Sequence, residues 1–189
     1  MLFRSSTTCG WRYLEAALND MRVVSGTPTV DASANGYGAA VKGYVFGYNR
    51  ASGSESNLYV NGTTSYSESD CTSTLIGTGK TNTEKLVKAM GTSAYSSSSG
   101  TDKTQDYAAR LCSVLSHGGY DDWFLPSKSE LDLMYDNLKA KGIGSFSGGS
   151  YWSSSENRES SACGQDFSSG DLYNYYRSGN ARIRPCRAF

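Results

Sequence analysis

The chain has 189 residues, enough for a single domain, and 12% of them are aromatic, including 14 tyrosines. That content argues against intrinsic disorder, because disordered chains are poor in aromatic residues. Eighteen Lys and Arg balance 18 Asp and Glu, which leaves no electrostatic reason to expect a nucleic-acid or anionic-membrane partner.

The sequence has no run near the roughly 20 apolar residues that span a bilayer, so direct membrane insertion is not expected. Residues 1–10 lack the apolar core of a signal peptide, and no export signal is visible in this chain. The segment GWRYLEAALNDMRV at 10–23 fits either a strand start or a short helix. Gly43 to Tyr48 is β-rich and bounded by glycines, which predicts a strand. From Ala51 to Thr74 the chain is polar, with Tyr59, Val60, Asn61 and Gly62 as a hairpin signal. Asn61, Gly62 and Thr63 also match a glycosylation sequon by pattern alone.

Three helices are predicted next. Residues 83–90 put Leu86, Val87 and Met90 on one face, with Gly91 at the C-cap. Residues 106–116 do the same with Ala108, Leu111, Cys112 and Leu115, and stop at Gly118 and Gly119. The third starts at a capping box, Ser127 with Glu130, behind Pro126. Its apolar stripe is Leu131, Met134, Tyr135 and Leu138, and Gly142 ends it. Beyond it, residues 143–189 are rich in Ser, Gly, Tyr and Arg, with anchors at Phe146, Tyr151, Trp152, Phe167, Ile183 and Phe189. This spacing predicts short strands joined by polar loops, ending in a terminal strand with Ile183 and Phe189 turned inward. By alternation, Arg182, Arg184 and Arg187 fall on the solvent face of that strand, rather than forming a basic patch. Helices followed by a strand cluster give an α+β domain.

Motifs for catalysis or metal binding are weak. IGTGKT at 76–81 has the end of a phosphate-binding loop, but Thr74 stands where the motif requires glycine. No clear buried strand precedes it, and no long helix is predicted directly after it. Asp121 and Asp122 are adjacent, so on an extended chain they point to opposite faces. His117 is the only histidine and reads as a loop residue. The five cysteines, Cys9, Cys71, Cys112, Cys163 and Cys186, lack zinc spacing. One or two disulfides or incidental buried thiols both remain open. No catalytic residue, metal site or cofactor is therefore assigned.

The window from Asn157 to Ala181 stands out. Tyr, Ser, Gly, Asn and Arg dominate it, with Leu172 its one large aliphatic. Antibody-like binding surfaces share this composition. Tyrosine gives contact area at low entropic cost, and small polar residues adapt. An ordinary polar loop cluster is the alternative.

Four segments resemble one family: GWRYLEAA at 10–17, YDDWFLPSKSEL at 120–131, YWSSSE at 151–156 and RIRPCRAF at 182–189. They look like the Lcl C-terminal domain family of bacterial surface proteins, and within it most like the variable proteins of diversity-generating retroelements. The resemblance implies a C-type lectin fold, in the elaborated form shared with formylglycine-generating enzymes, over residues 1–189. In such variable proteins, error-prone copying at template adenines rewrites the end of the gene. Asparagine codons altered in this way cannot yield Lys, Gln, Glu, Met or Trp. In the 25-residue window only Glu159 and Gln165 belong to those types.

Carried over by position, the implied variable ligand-binding residues are Arg158, Ser160, Ser161, Cys163, Gly164, Asp166, Ser168, Ser169, Asp171, Leu172, Tyr173, Asn174, Tyr175, Tyr176, Ser178, Gly179 and Asn180. Tyr173, Tyr175 and Tyr176 would be aromatic anchors, and Arg158, Asp166 and Asp171 polar contacts. Trp152, Phe167, Gly170, Ile183 and Phe189 would be scaffold. The resemblance implies display on a cell or virus-particle surface toward a protein or other surface ligand. Its alternative is a fixed adhesin or structural surface domain without diversification. The usual calcium and sugar motifs of lectins are missing. Cys163 and Cys186 stand where the family has other residues, 23 positions apart rather than close together as in the catalytic pair of formylglycine-generating enzymes. An enzyme is therefore not expected.

Overall fold

The computed structural model describes residues 2–4, 13–35, 43–47, 71–92, 94–95, 103–158 and 160–189. Strands β1 (Leu2–Arg4), β2 (Tyr13–Ala16), β3 (Met21–Val24), β4 (Thr27–Val30) and β5 (Tyr44–Val45) come first. Helix α1 (Gly79–Met90) follows, then β6 (Ala94–Tyr95), β7 (Lys103–Thr104), α2 (Ala108–Ser113) and α3 (Lys128–Asn137). The chain closes with β8 (Ser150–Arg158), β9 (Ser161–Asp166), β10 (Leu172–Tyr176), β11 (Asn180–Ala181) and β12 (Cys186–Ala188). The architecture is α+β, with three helices and short antiparallel strands among the described residues and no barrel. Strands precede the helices as well as follow them: the strand expected near 43–48 is joined by β1 to β4, so the chain is not helices first with strands only at its end.

Within the ambiguous segment 10–23, the described residues 13–23 form β2 and most of β3, and no helix. In β2, Leu14 and Ala16 are buried while Tyr13 is exposed, which is the period-two pattern of a half-buried strand. Ser25 and Gly26 both take positive φ and turn β3 into β4 as a tight hairpin. The strand predicted from Gly43 to Tyr48 shortens to β5, and the hairpin signal and sequon at 59–63 lie outside the described residues.

The capping box of α3 forms as predicted. Ser127 Oγ accepts the Glu130 N–H, and the Glu130 carboxylate accepts the Ser127 N–H at 2.8 Å. Leu131, Met134 and Leu138 are buried beneath it. After a short 3-10 turn at Lys139–Lys141, Gly142 ends the segment in the left-handed region. Helix α2 is shorter than predicted, yet Ala108, Leu111, Cys112 and Leu115 are all buried. Helix α1 corrects a prediction: it starts at Gly79, inside the IGTGKT run, rather than at Thr83. The Glu130 carboxylate occupies the space in front of it, accepting the Gly77 N–H at 2.8 Å. A Cβ on Gly79 would lie 2.2 Å from Glu130 Oε2. The helix start, the place where a phosphate-binding loop cradles its anion, is thus already filled by the protein's own carboxylate.

Two sheets position the C-terminal window. The order β1-β2-β12 joins the first strands to the last, and β10-β9-β8 forms a three-stranded meander. One apolar cluster gathers Leu86, Tyr107, Leu111, Trp123, Trp152 and Ile183; the other gathers Leu14, Phe124, Leu131, Met134, Tyr151 and Phe167. Trp152 is fully buried, and its Nε1 donates to the Tyr44 carbonyl at 2.7 Å. Burying each large apolar side chain contributes about 1.5–3 kcal/mol.

The C-terminal arginines differ from expectation. Arg184 is fully buried and Arg187 nearly so, and neither lies on a solvent face. Arg184 pairs with buried Asp20 at 2.7 Å, and Arg182 approaches the same carboxylate at 3.6 Å. The Tyr151 hydroxyl donates to Asp20 at 2.8 Å. Burial outweighs these partners and raises the Asp20 pKa above its ordinary value. Arg187 packs on the Tyr120 ring, 3.4 Å from its centroid, and Asp122 lies 3.6 Å from its guanidinium. Ile183 is buried as expected, but Phe189 is 49% exposed and stacks on Tyr13.

Candidate binding surface

The meander β8-β9-β10 holds most of the candidate residues. Strand β9 lies between two neighbours, and four of its six residues are buried. Strand β10 is at the edge, and every one of its residues except Tyr173 is exposed. Its register sets Tyr173 opposite Gly164, Asn174 opposite Cys163 and Tyr175 opposite Ala162. Side chains alternate along a strand. Tyr173 and Tyr175 therefore share one face, and Leu172, Asn174 and Tyr176 share the other.

The Tyr173 and Tyr175 face rests on small residues. A Cβ on Gly164 would stand 2.7 Å from both the Tyr151 carbonyl oxygen and the Tyr173 hydroxyl. Burial pushes the Tyr173 phenol up to about 12. The Tyr175 ring lies 6.0 Å from Trp152, and a Cβ on Gly179 would come within 1.9 Å of it. Tyr175 is thus half supported by the frame and half open, while Tyr176 is 65% exposed.

The loop between β9 and β10 is built by its own polar groups. Asp166 accepts the Ser168 N–H at 2.6 Å, and Ser169 Oγ donates to Asp171 at 2.8 Å. Gly170 takes φ +91° there, and a Cβ would meet the Tyr135 ring. Asp166 is therefore engaged in forming the turn, although Ser168, Ser169 and Asp171 face solvent.

The candidates separate accordingly. Arg158, Ser168, Ser169, Asp171, Leu172, Asn174, Tyr175, Tyr176 and Asn180 are exposed. Ser160, Ser161, Asp166, Tyr173, Ser178 and Gly179 are half-buried. Cys163 and Gly164 are buried, which corrects their expected placement on exposed loops. Cys163 faces Asn174, with Sγ 3.4 Å from Oδ1, and burial raises its thiol pKa. Cys163 and Cys186 are both free thiols, as is Cys112, so Cys163 and Cys186 are not paired.

Sequence reasoning left Arg177 unassigned. It is buried and pairs with buried Glu156 at 2.8 Å, while its Nη2 donates to the Arg158 carbonyl at 2.7 Å. The Phe46 and Gly47 N–H groups donate to the Arg177 carbonyl, tying this loop to the core. Glu156 also accepts the Thr72 N–H at 3.1 Å, and Thr72 Oγ1 donates to the Ser154 carbonyl at 2.7 Å. Segment 71–74 is thereby fixed along β8. No local pattern could have revealed this, because the partners are separated by 21 and 84 positions.

Between segment 71–74, the start of α3 and the meander lies a cleft of about 420 Å³. Thr74, Lys128, Arg158, Cys163 and Asn174 are among its lining residues. Among the described residues, no group of three or more His, Cys, Asp or Glu could hold a metal ion. No helix among them is long and apolar enough to cross a membrane. Neither the family models nor the curated proteins compared with this sequence match it.

Proposed function

We propose that this chain is a ligand-binding surface protein rather than an enzyme, with the exposed side of β10 and the loop before it as the binding surface. We further propose that its α+β architecture is a C-type lectin fold of the elaborated kind, and that a retroelement diversifies the 157–181 window for varied targets. Display on a cell or virus particle follows from the same reading.

One observation carries it. Within a single 25-residue window, exposed residues prone to contact alternate with locked frame residues. Leu172, Asn174, Tyr175 and Tyr176 lie open on a strand whose neighbours Ala162, Gln165 and Arg177 are buried. Such a division lets contact residues change while the core keeps its volume. The test is a display library randomised at Asp171, Leu172, Asn174, Tyr176 and Asn180. The reading expects most members to fold and selection on protein targets to yield binders. A library that folds but yields none contradicts it.

A fixed surface domain of the same family is the second reading. The packing of Gly164 against the Tyr151 carbonyl and the Tyr173 ring favours it, since free variation at that position would disturb the frame.

A further inference from the structure

The cleft beside β10 combines charge and construction in a way the diversified surface alone does not explain. Two of its lining residues, Lys128 and Arg158, are cations. Neither has an ion-pair or hydrogen-bond partner for its charged group among the described residues. The one carboxylate in the lining, Glu156, is already paired with Arg177. Locally the lining therefore carries two uncompensated positive charges, in a protein of zero formal net charge. Lys128 is close enough for its charge to lower the Cys163 pKa in part, against the larger effect of burial.

Neutral donors complete the lining. Asn174 accepts from Cys163 with Oδ1, leaving its Nδ2 amide group available to a ligand. Thr74 is exposed at the rim. The floor is rigid: Lys128 N–H donates to Ser155 Oγ at 2.9 Å, and Ser155 Oγ donates to the Ser73 carbonyl at 2.8 Å. The Ser129 N–H is satisfied by the Thr74 carbonyl at 3.1 Å, so the first turn of α3 supplies no open amide there. An anion held here draws on side chains rather than on the start of α3.

We propose that this cleft is an oxyanion subsite, in which Lys128 and Arg158 hold a carboxylate or a tetrahedral sulfate or phosphate group of a ligand, with Asn174 as a neutral donor. Arg158 offers a planar fork and Lys128 a point charge, a pair suited to either shape. The volume lies in the range of small-ligand sites. The proposal rests on the ligand-binding reading in taking β10 as the displayed edge. It divides the site into a constant cation, Lys128, of a type that asparagine-codon diversification cannot produce, and a changeable rim of Arg158 and Asn174.

The test is a titration of the isotope-labelled whole chain with sodium acetate, sulfate and phosphate in turn, at constant ionic strength against chloride, followed by amide NMR. A saturable response to at least one of the three is expected at Thr74, Lys128, Arg158 and Asn174, with a midpoint in the millimolar range. Selectivity between acetate and the tetrahedral ions identifies the ligand group. Lys128→Gln and Arg158→Gln should each weaken binding about tenfold. Exposed Lys85→Gln should leave it unchanged, and thermal melts confirm that all three variants fold. Absence of a saturable response to all three anions overturns the proposal, and so does undiminished binding by both cleft variants. Because Lys128 and Thr74 lie outside the window, a positive titration stands even where diversification is disproved, and a negative one leaves the library test untouched.

Discussion

Arg177 and Glu156 form an ion pair of 2.8 Å with both side chains almost fully buried, in the midst of the most exposed stretch of the meander. Arg177 lies immediately after exposed Tyr176, so a single residue step crosses from surface to frame. Removing one partner of such a pair leaves an uncompensated charge inside the protein, which costs about 3–5 kcal/mol. Arg177→Ala is therefore expected to lower the stability measured by urea unfolding by that amount. Tyr176→Ala, its exposed neighbour, should change stability by only about 0.5 kcal/mol or less.

The two packed glycines give a second prediction. Gly164→Ala presses a methyl group onto the Tyr151 carbonyl, a backbone atom with little room to move. An overpacking cost of about 1–3 kcal/mol is expected in the same unfolding assay. At Gly179→Ala the nearest atoms are those of the Tyr175 side-chain ring, which can swing aside. That variant should keep most of its stability but move Tyr175 away from Trp152, visible as altered near-ultraviolet circular dichroism. Two unaltered variants would show that the glycines are not packing positions.

Glu130 yields a prediction in pH. Its carboxyl is held above the ordinary value of 4.5 by burial, which outweighs the hydrogen bonds from Ser127, Gly77 and Gly79. A raised folded value means that the native state binds the proton more tightly than the unfolded chain. The stabilisation from this proton is complete below pH 4.5 and is lost as pH rises through the folded value. Thermal melts of the wild type and Glu130→Gln from pH 4 to 8 isolate the effect. The wild type should lose stability relative to the variant as pH rises through that interval, and parallel curves would contradict the assignment.

Thiol accessibility gives a fourth test. Cys112 and Cys186 are fully buried, and burial raises both thiols well above their ordinary value. Native protein treated briefly with iodoacetamide should show both unmodified by peptide mass mapping, whereas urea-unfolded protein labels at both. Equal labelling of native and unfolded protein would indicate that the core around α2 and β12 opens readily.

Local signals in the sequence were read where their chemistry is local. The capping box of Ser127 and Glu130 lies within four residues, and the α3 stripe of Leu131, Met134 and Leu138 follows a single helical period. The early start of α1 was hidden because Gly79 is a poor helix former, and its place is set by Glu130, 51 residues away. The alternation of Arg182 and Arg184 suggested a wet strand face, whereas Arg184 is buried against Asp20 and Arg182 turns to the same carboxylate, which no spacing rule connects to them. Among the candidate contacts, composition identified the window but not its interior. Whether Cys163 or Asn174 faces solvent depends on which strand is at the edge, and strand order is set by non-local pairing.

The most direct test of the central claim is the DNA sequence flanking this gene, read through both ends of the locus. The account predicts a near-copy of the 3′ end beside a reverse-transcriptase gene, differing from it only at template adenines. Those differences should fall on codons for exposed residues such as Asp171, Leu172, Asn174 and Tyr176, and spare Trp152 and Phe167. A complete flanking sequence without such a repeat would contradict diversification and leave a fixed surface domain.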